Sequence, residues 1–438
     1  MKKLLLILFI IGLTGALCSA ALCGQILNNE MKVYEDYQNK NLDIKALDNI
    51  IVESSVDTYI HTTDGTPYVE FNQKFIDVLG NHPSYTLTVE TKNNVSYIKL
   101  IMTHKTNHLY FVTEDSAALN IYLPQQAINK LHINNNNETT LIKNTQNVNL
   151  NLQDIDIKDL DINAFRLNAS LSGNYERVAI DANHGSVNLS SNSTSHINID
   201  GGINSSLTGS FNNINISTYG NQLFIDSHTP ASVSIDGGSD IKLKGSYNQI
   251  EIKAGYDSIL DINSNTLCKV NIDGNSSKLN LNGAFDTLTI NGDNKDIYIN
   301  TTNIPQLINI LEFSQMITVM LPSNTPGINA NCIWADDGLH THFTSDFPMQ
   351  QHLDSHNVAQ YFFGNKQVKL FIKAWGLQDI YVLDNGYLSK DVSENIESEE
   401  AIPETSPVES ETHPMESRAY TVQDETHPDE TQTHEAQD

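Results

Sequence analysis

Basic residues are the first scarcity. Lys and Arg number 25 against 53 Asp and Glu, a formal net charge of −28 over 438 residues. Nucleic acid and anionic lipid both need clustered Lys and Arg, so neither is expected as a partner. Basic proteins, cations and neutral glycans stay open. Cysteine is scarcer still: of four, Cys18 and Cys23 sit beside the N-terminal leader, leaving Cys268 and Cys332. No C-x-x-C spacing remains, which excludes a cysteine zinc site. Cys268 reads as a small buried residue beside the Val270 strand. Whether it pairs with Cys332, 64 residues on, is not fixed by spacing.

Apolar runs are short as well. Leu4 to Leu13 follows Met1-Lys2-Lys3 and precedes small residues through Ala20 and Ala21. That run is too short for a comfortable membrane span and reads as a signal peptide cut near Ala20 or Ala21. Leu17 and Leu22 stand where lipidation wants a small residue before cysteine. The expected location is therefore the periplasm, cell surface or medium, with no strong membrane binding after cleavage.

What is abundant is a short alternation. Apolar pairs with one residue between them recur about every nine positions, as Val178/Ile180, Val187/Leu189 and Ile197/Ile199, with a weaker step at Leu207. The series continues through Ile214/Ile216, Leu223/Ile225, Val233/Ile235, Ile241/Leu243 and Ile250/Ile252, and on to Ile297/Ile299. Triplets of this kind put both apolar side chains on one face of a strand. The intervening Asn, Gly, Ser and Asp supply turns. No single step buries its apolar face alone, whereas stacked steps do.

A longer beat overlies the short one. Gly173-x-Tyr175, Gly209-x-Phe211, Gly245-x-Tyr247 and Gly283-x-Phe285 recur at 36, 36 and 38 residues. Asp200-Gly201, Asp236-Gly237 and Asp273-Gly274 keep the same time. Four strands per 36 residues fits one four-sided coil or two narrow coils of about 18. The expected fold is all-β: a β-solenoid, parallel β-helix-like, with N- and C-terminal β caps and a disordered acidic tail. The expected organisation is a signal peptide at 1–21, a flexible lead-in at 22–41 and an N-terminal β cap at 42–118. Solenoid repeats follow at 119–311, then a C-terminal solenoid/β cap at 312–388 and the tail at 389–438. In that tail 15 Asp and Glu face two Lys and Arg, and Glu-Thr-His-Pro occurs twice. Such a composition buries too little apolar area to offset its ordering entropy.

The order of segments resembles a known family. A β segment leads to a strand ending at Pro124, then to coils of Ile-x-Ile and Asp-Gly turns, and to a second strand ending at Pro322. Gly364-Asn-Lys-Gln-Val-Lys-Leu-Phe-Ile372 and Gly376 to Val382 close it. Over residues 42–383 this is similar to the bacterial putative-adhesin family of exported β-solenoids, of the head-GIN type. The resemblance implies adhesion or surface organisation at the cell envelope and carries no catalytic residue. The Asn-rich coils and acidic tail depart from the family pattern.

Four sets of residues bear on chemistry. Asp200, Asp236 and Asp273 form a candidate carboxylate column for calcium, which takes six to eight oxygens. Each precedes Gly, where Asp also serves a turn. His340, His342, His352 and His356, near Asp336, Asp337 and Asp354, are weak zinc candidates, with no H-E-x-x-H base beside them. Asp336-Asp337 and Asn183-His184-Gly185 are the nearest approach to a polysaccharide-cleaving site. Basic residues are scattered through the coils, with no Arg-x-Lys companion. The fourth set is the outward residues between apolar pairs, chiefly Asn198, Asn215, Phe224, Asn271, Asn280 and Tyr298, whose amides and rings suit a glycan or protein partner. Alternatively, rows of Asn brace the stack through side-chain ladders. No cofactor is called for. The expected function is a non-enzymatic exported envelope or surface protein, an adhesin for a glycan or surface protein. The alternatives are a polysaccharide-active enzyme (lyase or glycoside hydrolase) and a self-assembling structural protein of the envelope.

Overall fold

The computed structural model describes residues 32–43, 47–77, 84–104, 116–135, 147–219, 222–334, 342–354, 358–374 and 379–386. The chain divides into one unit, Met1–Ser389, and a second, Lys390–Asp438. The second unit and the leader lie outside the described residues. Among the described residues the regular elements are all strands, nineteen of them in one open sheet. The expected all-β class holds.

The apolar pairs explain the middle. From Val178 to Ile299 every paired residue named above is buried, and the residues between them face outward or are half-exposed. Strands β9 (Asn147–Asp200), β10 (Ile203–Thr218), β11 (Gln222–Gly237) and β12 (Asp240–Thr301) carry the pattern. They pair in parallel, each residue meeting one 16 to 19 positions away. Leu189 meets Leu207, Leu207 meets Ile225, and Ile225 meets Leu243. Alternate pairs form a second row: Ile199 meets Ile216, Ile216 meets Ile235, and Ile235 meets Ile252. The step is therefore about 18 residues, not 36. The weak step has its cause here as well. Ser205 occupies the place between Val187 and Leu223 that an aliphatic side chain fills elsewhere.

β9 and β12 run 54 and 62 residues, yet neither is straight. Within β9 the Asp154 N–H donates to Ser172 Oγ at 3.0 Å, and within β12 the Asp293 N–H donates to Asn275 Oδ1 at 2.8 Å. Eighteen residues of straight strand would span roughly 60 Å. The chain folds back within each of these elements.

The 36-residue beat reflects an alternation between neighbouring 18-residue steps. Tyr175, Phe211, Tyr247 and Phe285 are wholly buried on every second step. On each step between stands a small polar residue that replaces a missing ladder bond. Thr229 Oγ1 accepts from the Phe211 N–H and donates to the Phe211 carbonyl, both at 3.0 Å. Thr266 does the same for Tyr247, and Asn303 for Phe285 with its amide. The Thr229 bonds fall where the β10–β11 ladder slips register, so this side chain satisfies backbone groups that the bulge strands.

The ends are built differently. β2 (Asn49–Ser54) lies parallel between β6 (Val95–His104) and β8 (Ile128–Asn135), and β3 (Asp57–Thr63) lies parallel between β7 (Ser116–Pro124) and β9. Outside them the pairing turns antiparallel, with β5 (Ser84–Lys92) on β6, and β4 (Tyr68–Asp77) on β7 with β1 (Lys32–Asn41) on β4. The other end repeats the plan. β18 (Val368–Ala374) lies parallel between β13 (Leu307–Leu321) and β14 (Gly327–Trp334), while β19 (Asp379–Asp384) joins β13 to β15 (His342–Ser345). β17 (Val358–Gly364) and β16 (Gln350–Asp354) add antiparallel strands on β14.

Three expected boundaries fall on strands. The lead-in placed at 22–41 is a paired strand from Lys32 onward, because β1 finds an edge on β4. The boundaries at 118 and 311 fall inside β7 and β13, since cap and middle share ladders.

Candidate binding surface

The six outward residues do not form one site. Asn198 is in register with Asn215, and Asn215 with Ser234, which faces Glu251. Phe224 belongs to another row, between Ser206 and Lys242. It is 38% exposed and borders an open hollow of about 340 Å³ with Asn188 and Gln222. Asn280 and Tyr298 line a further hollow of about 430 Å³ with Thr318. Tyr298 is half-buried, donates to Met320 Sδ at 3.0 Å, and has its hydroxyl pKa raised by that burial. Asn271 is exposed between buried Val270 and Ile272.

Side-chain ladders do exist, on different residues. Asn168 donates to Asn149 at 3.3 Å, Ser186 to Asn168 at 3.4 Å, and the Gln222 N–H to Asn204 at 3.1 Å. Asn198, Asn215, Asn271 and Asn280 take no part in them. Their amides make no side-chain hydrogen bond within the described residues and remain open to a partner.

The aspartate column is interrupted. Ser217 lies in register between Asp200 and Asp236, and Lys253 follows Asp236 at 3.8 Å. With strands about 4.8 Å apart, Asp200 and Asp236 are two rungs apart, roughly 10 Å, too far to share one ion. Asp273 instead accepts from Asn291 at 3.1 Å. The 36-residue beat that suggested a column is what separates its members. The histidines are likewise not gathered. Exposed His342 on β15 lies 3.2 Å from Asp379, and exposed His352 is on β16, in a different ladder. His340, His356, Asp336 and Asp337 lie outside the described residues. Among the described residues no three His, Cys, Asp or Glu are grouped to hold a metal.

Cys268 and Cys332 are both buried and unpaired. Burial pushes the Cys268 thiol up to about 11, against a lowering bond with Ser264, and the Cys332 thiol up to about 12. Neither is a nucleophile at neutral pH.

One cluster escaped the reading of the sequence. On the outward side of β3, β4 and β7, Tyr68 stacks on Tyr122 at 4.3 Å and 16°, and His61 follows Tyr122 at 5.6 Å. Each comes from a different segment, so no local spacing betrayed them.

The geometry thus defines an all-β protein with amide-bearing and aromatic outward rows on a parallel ladder. No family model matches the chain, and no curated protein matches it. Two solved structures do. A putative cell adhesion protein from Clostridium sporogenes is 8% identical, covering 80% of this chain and 100% of its own, with a TM-score of 0.19. A putative adhesin from Parabacteroides merdae is 14% identical, covering 59% and 93%, with a TM-score of 0.31. At such scores the likeness carries no weight for fold or function.

Proposed function

We propose that the protein is an exported, non-enzymatic β-solenoid that acts at the cell envelope or surface as an adhesin, binding a glycan or a surface protein through its outward rows. The observation that carries this reading is the split between braced and unbraced polar residues. The ladder Asn149–Asn168–Ser186 is used up in stabilising neighbours, whereas Asn198, Asn215, Asn271 and Asn280 hold their amides out unused. A rigid backbone with free amides at regular spacing favours recognition with little ordering cost. The solenoid itself is supported by the parallel step of about 18 residues and by the bonds within β9 and β12 that join residues 18 apart. The leader at 1–21 and the tail at 389–438 keep their proposed roles as export signal and acidic extension.

Self-assembly through free strand edges is less well supported. Gln38 of β1 reaches the outer edge of β5, accepting from the Leu87 N–H and donating to the Tyr85 carbonyl, both at 3.1 Å. That amide occupies backbone groups an incoming strand would need.

The test is to express the full chain with its leader, recover it from the cell surface and medium, and apply it to immobilised glycans and whole cells. Saturable binding without product is expected. Reducing ends or unsaturated sugars accumulating with time would replace the reading with a polysaccharide-active enzyme. Sedimentation as long polymers would replace it with a structural protein.

A further inference from the structure

The carboxylate of Glu70 differs from those in the walls of this protein that face a cation. Asp159 faces Arg177, Glu53 faces Lys99, and Asp226 faces Lys244. Half-buried Glu70 faces tyrosines. Tyr122 Oη donates to its Oε1 at 3.5 Å and Tyr37 Oη to its Oε2 at 3.4 Å, while the Asn39 amide donates to Tyr37 Oη at 2.9 Å. Both contacts are long for a hydroxyl on a carboxylate. A carboxylate has about four acceptor positions, so about half of this one's capacity is unspent. Burial, and then the charge of Glu70, raise the pKa of Tyr122, so its hydroxyl stays protonated and able to donate.

The sheet register makes the cluster. Asn39 lies opposite Glu70 across β1 and β4, Tyr68 opposite Tyr122 across β4 and β7, and Tyr122 opposite His61 across β7 and β3. All point outward, and Tyr37 is 58% exposed. The chemistry narrows the ligand. Tyr68 stacks on Tyr122 and His61 tilts against Tyr122 at 32°, so these rings present chiefly edges and hydroxyls. Tyr37, more than half exposed, offers ring surface on which a sugar can rest. A lone carboxylate flanked by hydroxyls and an amide matches the adjacent hydroxyls of a pyranose. The excess of 28 negative charges opposes acidic sugars at any distance not screened by salt.

We propose that Tyr37, Glu70 and Tyr122, with Asn39, Tyr68 and His61 around them, form a binding site for a neutral, hydroxyl-rich glycan. This rests on the adhesin reading and adds to the outward rows a separate site at the N-terminal end with a stated ligand class. The test is to print neutral hexose and N-acetylhexosamine oligosaccharides beside uronate-bearing, sialylated and free-amine sugars, and to apply the full chain. Neutral glycans are expected to bind. For the best of them, Glu70→Gln and Tyr37→Ala are expected to weaken binding at least about tenfold, the scale of a hydrogen bond to a charged group. Tyr122→Phe keeps the ring stack and is expected to weaken it less. Lys369→Ala, at an exposed position of β18 in the other end of the sheet, should leave it unchanged. Unaltered thermal melting of each variant keeps the comparison one of binding. Full binding by Glu70→Gln and Tyr37→Ala would overturn the site and leave the adhesin reading standing. Preference for amine-bearing sugars or for a lysine-rich peptide, lost in Glu70→Gln, would overturn the neutral-sugar assignment. No binding to any printed glycan would overturn glycan adhesion itself.

Discussion

The middle of the sheet and its two ends obey different rules. Between β9 and β12 each residue pairs with one about 18 positions away, so an element and its neighbour are almost adjacent in sequence. At the ends the separations lengthen. Thr58 pairs with Val148 and Leu307 with Lys369. The ends also turn antiparallel at their outermost strands, where the parallel ladder would otherwise stop on an unpaired edge. The middle repeats one solution under tight local constraint. The ends stop the ladder, and there the aromatic cluster around Glu70 found room. Regularity and singular chemistry thus occupy separate parts of the molecule.

Substituting glycines is the strongest way to break that contrast. At Gly245 φ is +112°, and an added Cβ would fall 2.1 Å from the Ser227 carbonyl oxygen one step below. Gly209 and Gly283 meet Ser191 and Ser264 in the same way. Gly245→Ala is expected to cost about 3 kcal/mol or more, from the combined strain and backbone clash. Gly65, near the N-terminal end, has only Thr63 Oγ1 within 3.5 Å of such a Cβ. Gly65→Ala should lie within about 0.5 kcal/mol of the parent. Urea melts of the two variants check this, and equal losses would erase the distinction.

Alkaline pH sharpens the comparison next, because one buried thiol lies in each region. Both folded-state pKa values are raised above the ordinary 9.0, Cys268 to about 11 and Cys332 to about 12. Above pH 9 the unfolded chain releases these protons while the folded chain keeps them, so the folded state binds more protons and stability falls as pH rises. Below pH 9 neither thiol contributes a slope. The expected loss is about 1.4 kcal/mol per pH unit per thiol, ending near pH 11 for Cys268 and near pH 12 for Cys332. Cys332→Ala should halve the thiols' slope between pH 9 and 11 and abolish their slope from 11 to 12, whereas Cys268→Ala should only halve it below pH 11. Melting temperature against pH reads both, and an unchanged slope in Cys332→Ala would show that the terminal thiol is not held neutral.

The smallest expected effect is a gain. Ser205 is buried, and its Oγ has no hydrogen-bond partner. Ser205→Val restores the aliphatic row between Val187 and Leu223 and is expected to stabilise by about 1 kcal/mol. A lower melting temperature would mean that the middle does not tolerate its own consensus.

Much of the middle was legible in the chain. Val187/Leu189 and Ile197/Ile199 announced strands, and Gly-x-aromatic announced a 36-residue beat. The beat was misread at one point. Asp200, Asp236 and Asp273 keep time with it, but Ser217 and Lys253 stand between them, because the physical step is half the beat. The candidate surface was legible only in part. Asn198 and Asn215 do face outward in register, but Phe224 and Tyr298 belong to other rows, and nothing near Glu70 in sequence foretold Tyr37 or Tyr122 beside it.

By itself the sequence determined that the described chain would be strands, which residues they would bury and roughly where they would turn, because alternation and turn chemistry act over a few residues. Only the tertiary structure decided the 18-residue step, the insertion of β2, β3, β18 and β19 between strands far along the chain, and the gathering of tyrosines around one carboxylate. Those depend on which backbone edge each strand finds, a choice made between segments as much as 90 residues apart, and composition does not encode it.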